Sequence, residues 1–236
     1  MTIHYKNIPI NQLDKSTALE MYKIFRIYFN YDKNKFLEDI YRKSIITLIK
    51  DGDDIIGFSS NDFKYHDFKG GIISLFSGNT VVDGKHRNEP CLINSWLRIC
   101  ADLITMFPEN DIYWHLISMG YKTYRFLPLF FNEFYPNCYG ETPEEQQQII
   151  DYLSTERFGK FYNKETGIVR IPHSETLKGN HSDIPENRKK NKHVRFFLDK
   201  NPDYRDGAEL SCIAPINVEN FKNIPRKTLA GMVGSD

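Results

Sequence analysis

The sequence is poor in several things, and each shortage narrows the reading. It has four cysteines, Cys91, Cys100, Cys138 and Cys212, with no CxxC pair among them. That spacing excludes a disulfide framework or zinc ribbon and predicts free thiols in a reducing cytosol. No apolar run reaches the roughly 18 residues that span a bilayer. The opening MTIHYKNIPINQLDKS lacks the apolar core of a signal peptide. There is no net charge, with 31 basic against 31 acidic residues, so no global field draws nucleic acid or membrane. Internal repeats and low-complexity blocks are also missing. What remains is a soluble, cytoplasmic globular chain of 236 residues with 40% hydrophobic residues, enough for a real core.

Aromatic residues, by contrast, are plentiful at 14%. Many fall between Gly70 and Pro136, GGIISLFSGNTVVDGKHRNEPCLINSWLRICADLITMFPENDIYWHLISMGYKTYRFLPLFFNEFYP. An apolar run (Ile72 to Val82) meets a polar, cationic turn (Asp83 to Asn88). A helical pattern (Glu89 to Met106), a second apolar run (Ile112 to Ile117) and an aromatic amphipathic segment (Tyr121 to Tyr135) follow. The stretch reads strand, loop, helix, strand, helix. Gly78 inside the first strand marks either a bulge with close backbone approach or a plain bend.

Upstream, Ile3 to Ile8 is a weak strand. A helix starts after Leu13, capped by Asp14 or Ser16, and a second carries Phe36, Leu37, Ile40 and Tyr41. Ser44 to Phe63, folded about Asp51-Gly52-Asp53-Asp54, is a hairpin. Downstream, Thr142 to Leu153 opens a helix with a cap, a proline and two acids. Phe158 to Ile171 turns at Lys164-Glu165-Thr166-Gly167. Pro172 to Lys192 reads as a loop, His193 to Leu198 and Glu209 to Ile216 as strands, and the segment from Asn217 as a loosely held tail.

The loop Asp83-Gly84-Lys85-His86-Arg87-Asn88 enters a helix N-terminus. Unsatisfied N–H groups and the macrodipole make such a place attractive to anions, and Lys85, His86 and Arg87 add cations. It is either a diphosphate cradle or an ordinary helix start, capped by Asn88 with Pro90 in the first turn. Cys91, beside His86 and Arg87, reads either as a small apolar residue or as a nucleophile with His86 as its base.

The order of elements resembles the GNAT superfamily of CoA-dependent N-acyltransferases. That family's loop, Arg/Gln-x-x-Gly-x-Gly/Ala, aligns with Arg87-Asn88-Glu89-Pro90-Cys91-Leu92. Arg87 matches, Pro90 and Leu92 replace the small residues, and Pro90 removes one amide donor. The resemblance implies an α/β fold with a mixed central sheet flanked by helices, over residues 1–140. A C-terminal α+β extension (141–216) and a flexible tail (217–236) would follow. It implies acyl-CoA as co-substrate, held by Val82, Lys85, His86, Arg87, Asn88, Cys91 and Leu92, with the acyl arm between the strands ending at Val82 and Ile117. No metal is implied. The acceptor would be an amine on a small molecule or peptide.

Acyl transfer to an amine needs a base, an oxyanion donor and an acid for the departing thiolate. The resemblance points to a tyrosine after the second strand as the acid, Tyr124 first and Tyr121 second. Both can also be packing residues. His115 is a base or a satisfied core histidine, and Glu133 and Asp62 are further base candidates. Leu127, Leu129, Phe130, Phe131, Phe134 and Tyr135 are core, or else a wall for an acyl chain longer than acetyl. Two competing readings stand beside the enzyme. One is an inactive binding module of the same shape. The other is nucleic-acid binding by Arg188-Lys189-Lys190, Lys192, His193 and Arg195 with Phe196 and Phe197; acidic neighbours favour a solvated loop there.

Overall fold

The computed structural model describes residues 3–86, 90–172, 176–177 and 184–234. In chain order, the elements begin β1 Ile3–Pro9, α1 Lys15–Tyr28, β2 Phe29–Asn30, α2 Lys33–Ile40, β3 Ile45–Asp51, β4 Asp54–His66, β5 Ile72–Val82 and α3 Cys91–Met106. Next come β6 Asp111–Ser118, α4 Tyr121–Tyr124, α5 Phe126–Phe130, α6 Glu144–Phe158, β7 Tyr162–Asn163, β8 Ile168–Val169 and β9 Thr176–Leu177. The chain ends with α7 Glu186–Lys189, α8 Lys192–Lys200, β10 Glu209–Pro215 and α9 Asn223–Met232. It divides into two compact units, Met1–Ile112 with Asn223–Asp236, and Tyr113–Lys222. The division falls at Ile112, within β6. Both units are α/β.

In the first unit, β1, β3, β4 and β5 pair antiparallel in that order. Strand side chains alternate between faces. Ile46 and Leu48 of β3 share one face with Phe58 of β4 and Val81 of β5, and α1 and α2 bury Met21, Phe25 and Phe36 against them. Three rings form the centre, with Phe36 4.9 Å from Phe25 and 5.9 Å from Phe58. Asp14 caps α1 by accepting from the Thr17 amide, and Asp32 caps α2 through the Asn34 and Lys35 amides. On the other face α3 lies over β1 and β3. There Asn7 donates to the Ser95 carbonyl at 3.0 Å and accepts from the Thr47 hydroxyl at 2.7 Å.

The segment expected to trail over the surface is ordered. It forms α9, which packs on α3 and buries Leu229 completely. Just before it, in the second unit, the Asn220 side chain donates to the Glu133 and Pro215 carbonyls at 2.9 and 2.8 Å. Its oxygen accepts from the Glu133 amide at 2.7 Å. One polar side chain thus holds a stretch that carries no apolar periodicity.

In the second unit, β6, β10, β8 and β7 pair antiparallel in that order, with α6 against β10. Two expectations are corrected here. The segment Tyr121 to Tyr135 is not one amphipathic helix. Pro128 has no N–H to bond back to the Tyr124 carbonyl, so α4 ends there. A short α5 follows, and Phe131 and Tyr135 leave the helix to bridge Phe221 and Ile213. The second correction is His193 to Leu198, which is helix and not strand. The Asn191 side chain accepts from the His193 and Val194 amides, a strong N-cap, and Val194 and Phe197 fall three apart on one buried face.

Gly78 is the close approach, and a register shift lies in the same ladder between Ser59 and Asn61. A Cβ there would sit 2.8 Å from the Ser60 hydroxyl. Gly57, paired with Val82, is tighter still, because an added Cβ would lie 2.8 Å from the Val81 carbonyl oxygen, a backbone atom. Gly57→Ala should therefore destabilise the chain by about 1–3 kcal/mol through overpacking. A urea titration checks this, with Gly140→Ala as control. Nothing lies within 4 Å of the carbon added at Gly140, so its midpoint should hold or rise.

Candidate functional site

Val82 ends β5 opposite Gly57, and the chain then turns through Gly84–His86 in a single 3-10 turn. The amides of this turn are engaged. Gly84 N–H donates to the Tyr28 hydroxyl of α1 at 3.0 Å. Lys85 N–H donates to the Asp83 carboxylate at 3.0 Å, and His86 N–H to the Asp83 carbonyl at 2.9 Å. An anion seated here would compete with an acidic side chain already in place. Arg87 and Asn88 lie outside the described residues. Helix α3 begins at Cys91, with Pro90 as its N-cap and no side-chain cap. Its ladder starts where Asn94 N–H reaches the Pro90 carbonyl at 2.8 Å, so the Leu92 and Ile93 amides precede it. Lys85 is exposed, and His86 half-buried. Cys91 turns under the helix, with its sulfur 3.7 Å from the Ile3 carbonyl of β1. In the same unit, the Asp62 carboxylate accepts from the Ser44 hydroxyl at 2.8 Å.

The remaining candidates belong to the second unit. His115 is 1% exposed, and its Nε2 lies 3.2 Å from the Ser211 hydroxyl and 3.3 Å from that of Ser154. The two hydroxyls are 2.7 Å apart, and the Phe158 ring stands edge-on to the imidazole. Ser211 also lines a cleft with Pro136, Lys164, Phe196 and Lys200. Tyr121 is buried. Tyr124 is 0% exposed and donates its hydroxyl to the Pro136 carbonyl at 2.9 Å. Burial pushes its phenol far above the ordinary tyrosine range, and nearby Cys212, Cys138 and Tyr139 push the same way. Glu133 is exposed.

The aromatic segment is accounted for by packing. Leu127, Phe131 and Phe134 are buried, with Phe131 between Trp114 and Phe221 and Phe134 edge-on to Tyr124. The basic segment also uses its rings internally. Phe197 is buried against Tyr124, and Phe196 stacks on the same ring. Lys189 pairs with Glu186.

One cluster escaped the sequence. The Cys138 sulfur lies 3.4 Å from His193 Nδ1, and the Tyr139 hydroxyl lies 3.4 Å from His193 Nε2. The ammonium of Lys192 sits over the Tyr139 ring, 4.1 Å from its centre. Burial first, then the charges of Lys192, Lys222 and Arg125, hold the His193 pKa below its ordinary value. The one available signal was the Asn191 cap, which puts His193 in a first helical turn and not on a strand. Among the described residues no group of His, Cys, Asp or Glu could hold a metal ion.

No protein-family model and no curated protein matches the chain. Solved structures do. A probable N-acyltransferase of Enterococcus faecalis V583 is similar at 14% identity and a TM-score of 0.41, over 53% of this chain and 31% of that one. The chain thus spans about a third of that protein's length. NAA60 of Arabidopsis thaliana, solved with acetyl-CoA, is similar at 16% identity and a TM-score of 0.38, over 55% of this chain and 86% of that one. Glucosamine-6-phosphate N-acetyltransferase of the same plant gives 14%, 0.34, 48% and 82% in the same order.

The Tyr124 geometry separates packing from chemistry. Tyr124→Phe leaves the Pro136 carbonyl without its buried donor and should cost about 1–3 kcal/mol. Thermal unfolding reads this directly. An unchanged melting temperature would return Tyr124 to the list of acids.

Proposed function

We infer that the chain is a CoA-dependent N-acyltransferase. The observation that carries the reading is the order and pairing of the first unit. A strand, two helices, an antiparallel hairpin, a long strand, a cationic turn and a helix follow one another as the GNAT resemblance implies. In this reading acyl-CoA supplies the activated acyl group. Lys85, His86 and Arg87 hold its diphosphate together with the amides that open α3, Cys91 and Leu92 among them. The acceptor nitrogen attacks the thioester carbonyl, a C–N bond forms, and the C–S bond breaks. The departing thiolate takes a proton from an acid. The Tyr124 hydroxyl is already engaged by the Pro136 carbonyl, which counts against it in that role. Asp62 and Glu133 remain open as the base, since His115 Nε2 already faces two hydroxyls.

Titration calorimetry with CoA, acetyl-CoA and a longer acyl-CoA tests this. Binding should weaken at least about tenfold in Lys85→Glu with Arg87→Glu, and should fall with added salt. Acetyl-CoA should bind no worse than the longer acyl-CoA, since two of the rings proposed to wall a long chain, Phe131 and Phe134, are core. Binding without acyl transfer to any amine would identify a binding module instead. No binding at any chain length would remove the enzyme reading.

A further inference from the structure

The cluster around Cys138 has the parts of an activated thiol and does not depend on acyl transfer. Neutral imidazole carries one N–H and one lone pair. In the tautomer with its proton on Nε2, the Tyr139 hydroxyl can accept that proton and the Nδ1 lone pair faces the Cys138 sulfur. Tyr139 is thereby a positioning residue that selects the tautomer. His193 sits in the first turn of α8, and the exposed Lys192 precedes it. The groups that face the imidazole from other elements are cationic as well, Arg125 between α4 and α5 and Lys222 ahead of α9. All three cations keep the free imidazole neutral at neutral pH, and their opposition to protonating it is offset by their attraction for the thiolate that forms beside it. The same three favour a negatively charged reagent at the sulfur. Cys138 is half-buried, and its neighbour Tyr139 is 62% exposed, so small molecules can approach. Cys91, the other half-buried thiol, faces a backbone carbonyl instead, and Cys100 and Cys212 are buried.

We propose that Cys138 is a nucleophilic thiol, deprotonated by His193, that exchanges with small carboxylate-bearing disulfides. The Sγ proton passes to His193 Nδ1. The sulfur attacks one sulfur of the disulfide, and a new S–S bond forms to Cys138. The old S–S pair leaves on the other sulfur as a thiolate, which takes the proton back from His193. Cys138 is oxidised, the departing thiol is reduced, and no other oxidant is needed. The nucleophile is the ordinary one for such exchange, a thiol next to a base in an electropositive, partly open setting.

The test uses the full chain and dithiobis(nitrobenzoate), a dianionic disulfide that releases a coloured thiolate. One thiol per chain should react in a fast phase, at least about tenfold ahead of Cys91. Peptide mass mapping should place the fast adduct on Cys138. Cys138→Ser should abolish the fast phase, and His193→Gln should slow it to the Cys91 rate. Lys192→Gln should slow the dianionic reagent while leaving neutral dithiodipyridine unchanged. A fast phase that maps elsewhere, or Cys138 reacting no faster than Cys91, overturns the proposal. The wild-type mapping decides the matter even where a variant misfolds.

Discussion

The ladder between β4 and β5 is the constraint on which the first unit depends. These are its longest strands, and their register fixes where each feature falls. Gly57 opposite Val82 sets the end of β5. The absent Cβ at Gly57 lets the two backbones close to a distance no side chain would allow. The shift between Ser59 and Asn61 brings Gly78 onto Ser60 and Lys43. Lys43 is buried, but it is bonded to Asp39, and Asp39 also accepts from Asn79 of β5. An ion pair with its ammonium buried and its carboxylate partly exposed adds little net stability, but any other register would leave the buried ammonium unpaired. The aromatic layer of Phe25, Phe36 and Phe58 then seats the two helices on a sheet whose register is already fixed. Tyr28, at the end of α1, reaches the Gly84 amide only because both the helix and the strand end are held.

That reach has a cost for anion binding. A helix start and three cations attract phosphate, but the turn before the helix has filled its own donors. The Asp83 carboxylate accepts from Lys85, its carbonyl accepts from His86, and Tyr28 takes Gly84. A diphosphate must therefore exchange for these partners or bind further along, at the first turn of α3. There Pro90 offers no amide, but Leu92 and Ile93 lie ahead of the first ladder bond. The attraction is long-range and shared, whereas the competition is local.

Periodicity made much of the fold legible. The β3–β4 hairpin, the capped α1, the strand at β5 and the helix at α3 were all visible, because each carries its own apolar face and its own turn signal. The failures share another cause. The amide missing at Pro128 leaves the Tyr124 carbonyl without its helical partner, an effect that apolar spacing does not register. Asn191 sat inside a charge run that hid its role as a cap. Asn220 is a single polar residue whose three hydrogen bonds join positions 87 and 5 residues away in sequence. In the candidate site, the cationic turn was legible as composition. That its amides were already engaged was not, because Tyr28 lies 56 residues upstream of Gly84.

Two histidines of the second unit, His115 and His193, show why burial and partners together decide what an imidazole can do. His115, central in a strand with apolar neighbours, reads in the sequence as either a base or a satisfied core histidine. It is enclosed, with two hydroxyls converging on one nitrogen, so its hydrogen-bonding capacity is absorbed by the core. His193 looked like one more cation in a charged segment. It is half-buried, that burial and then its cationic surroundings favour the neutral ring, and its two nitrogens face groups of different kind. A phenol stands on one side, and a thiol on the other. The asymmetry is what makes a base, and it arises because α8 is a helix whose capped first turn sets the ring between Cys138 and Tyr139. On a strand, as the pattern alone suggested, successive side chains point to opposite faces, and Lys192 and His193 could not both lie against Tyr139.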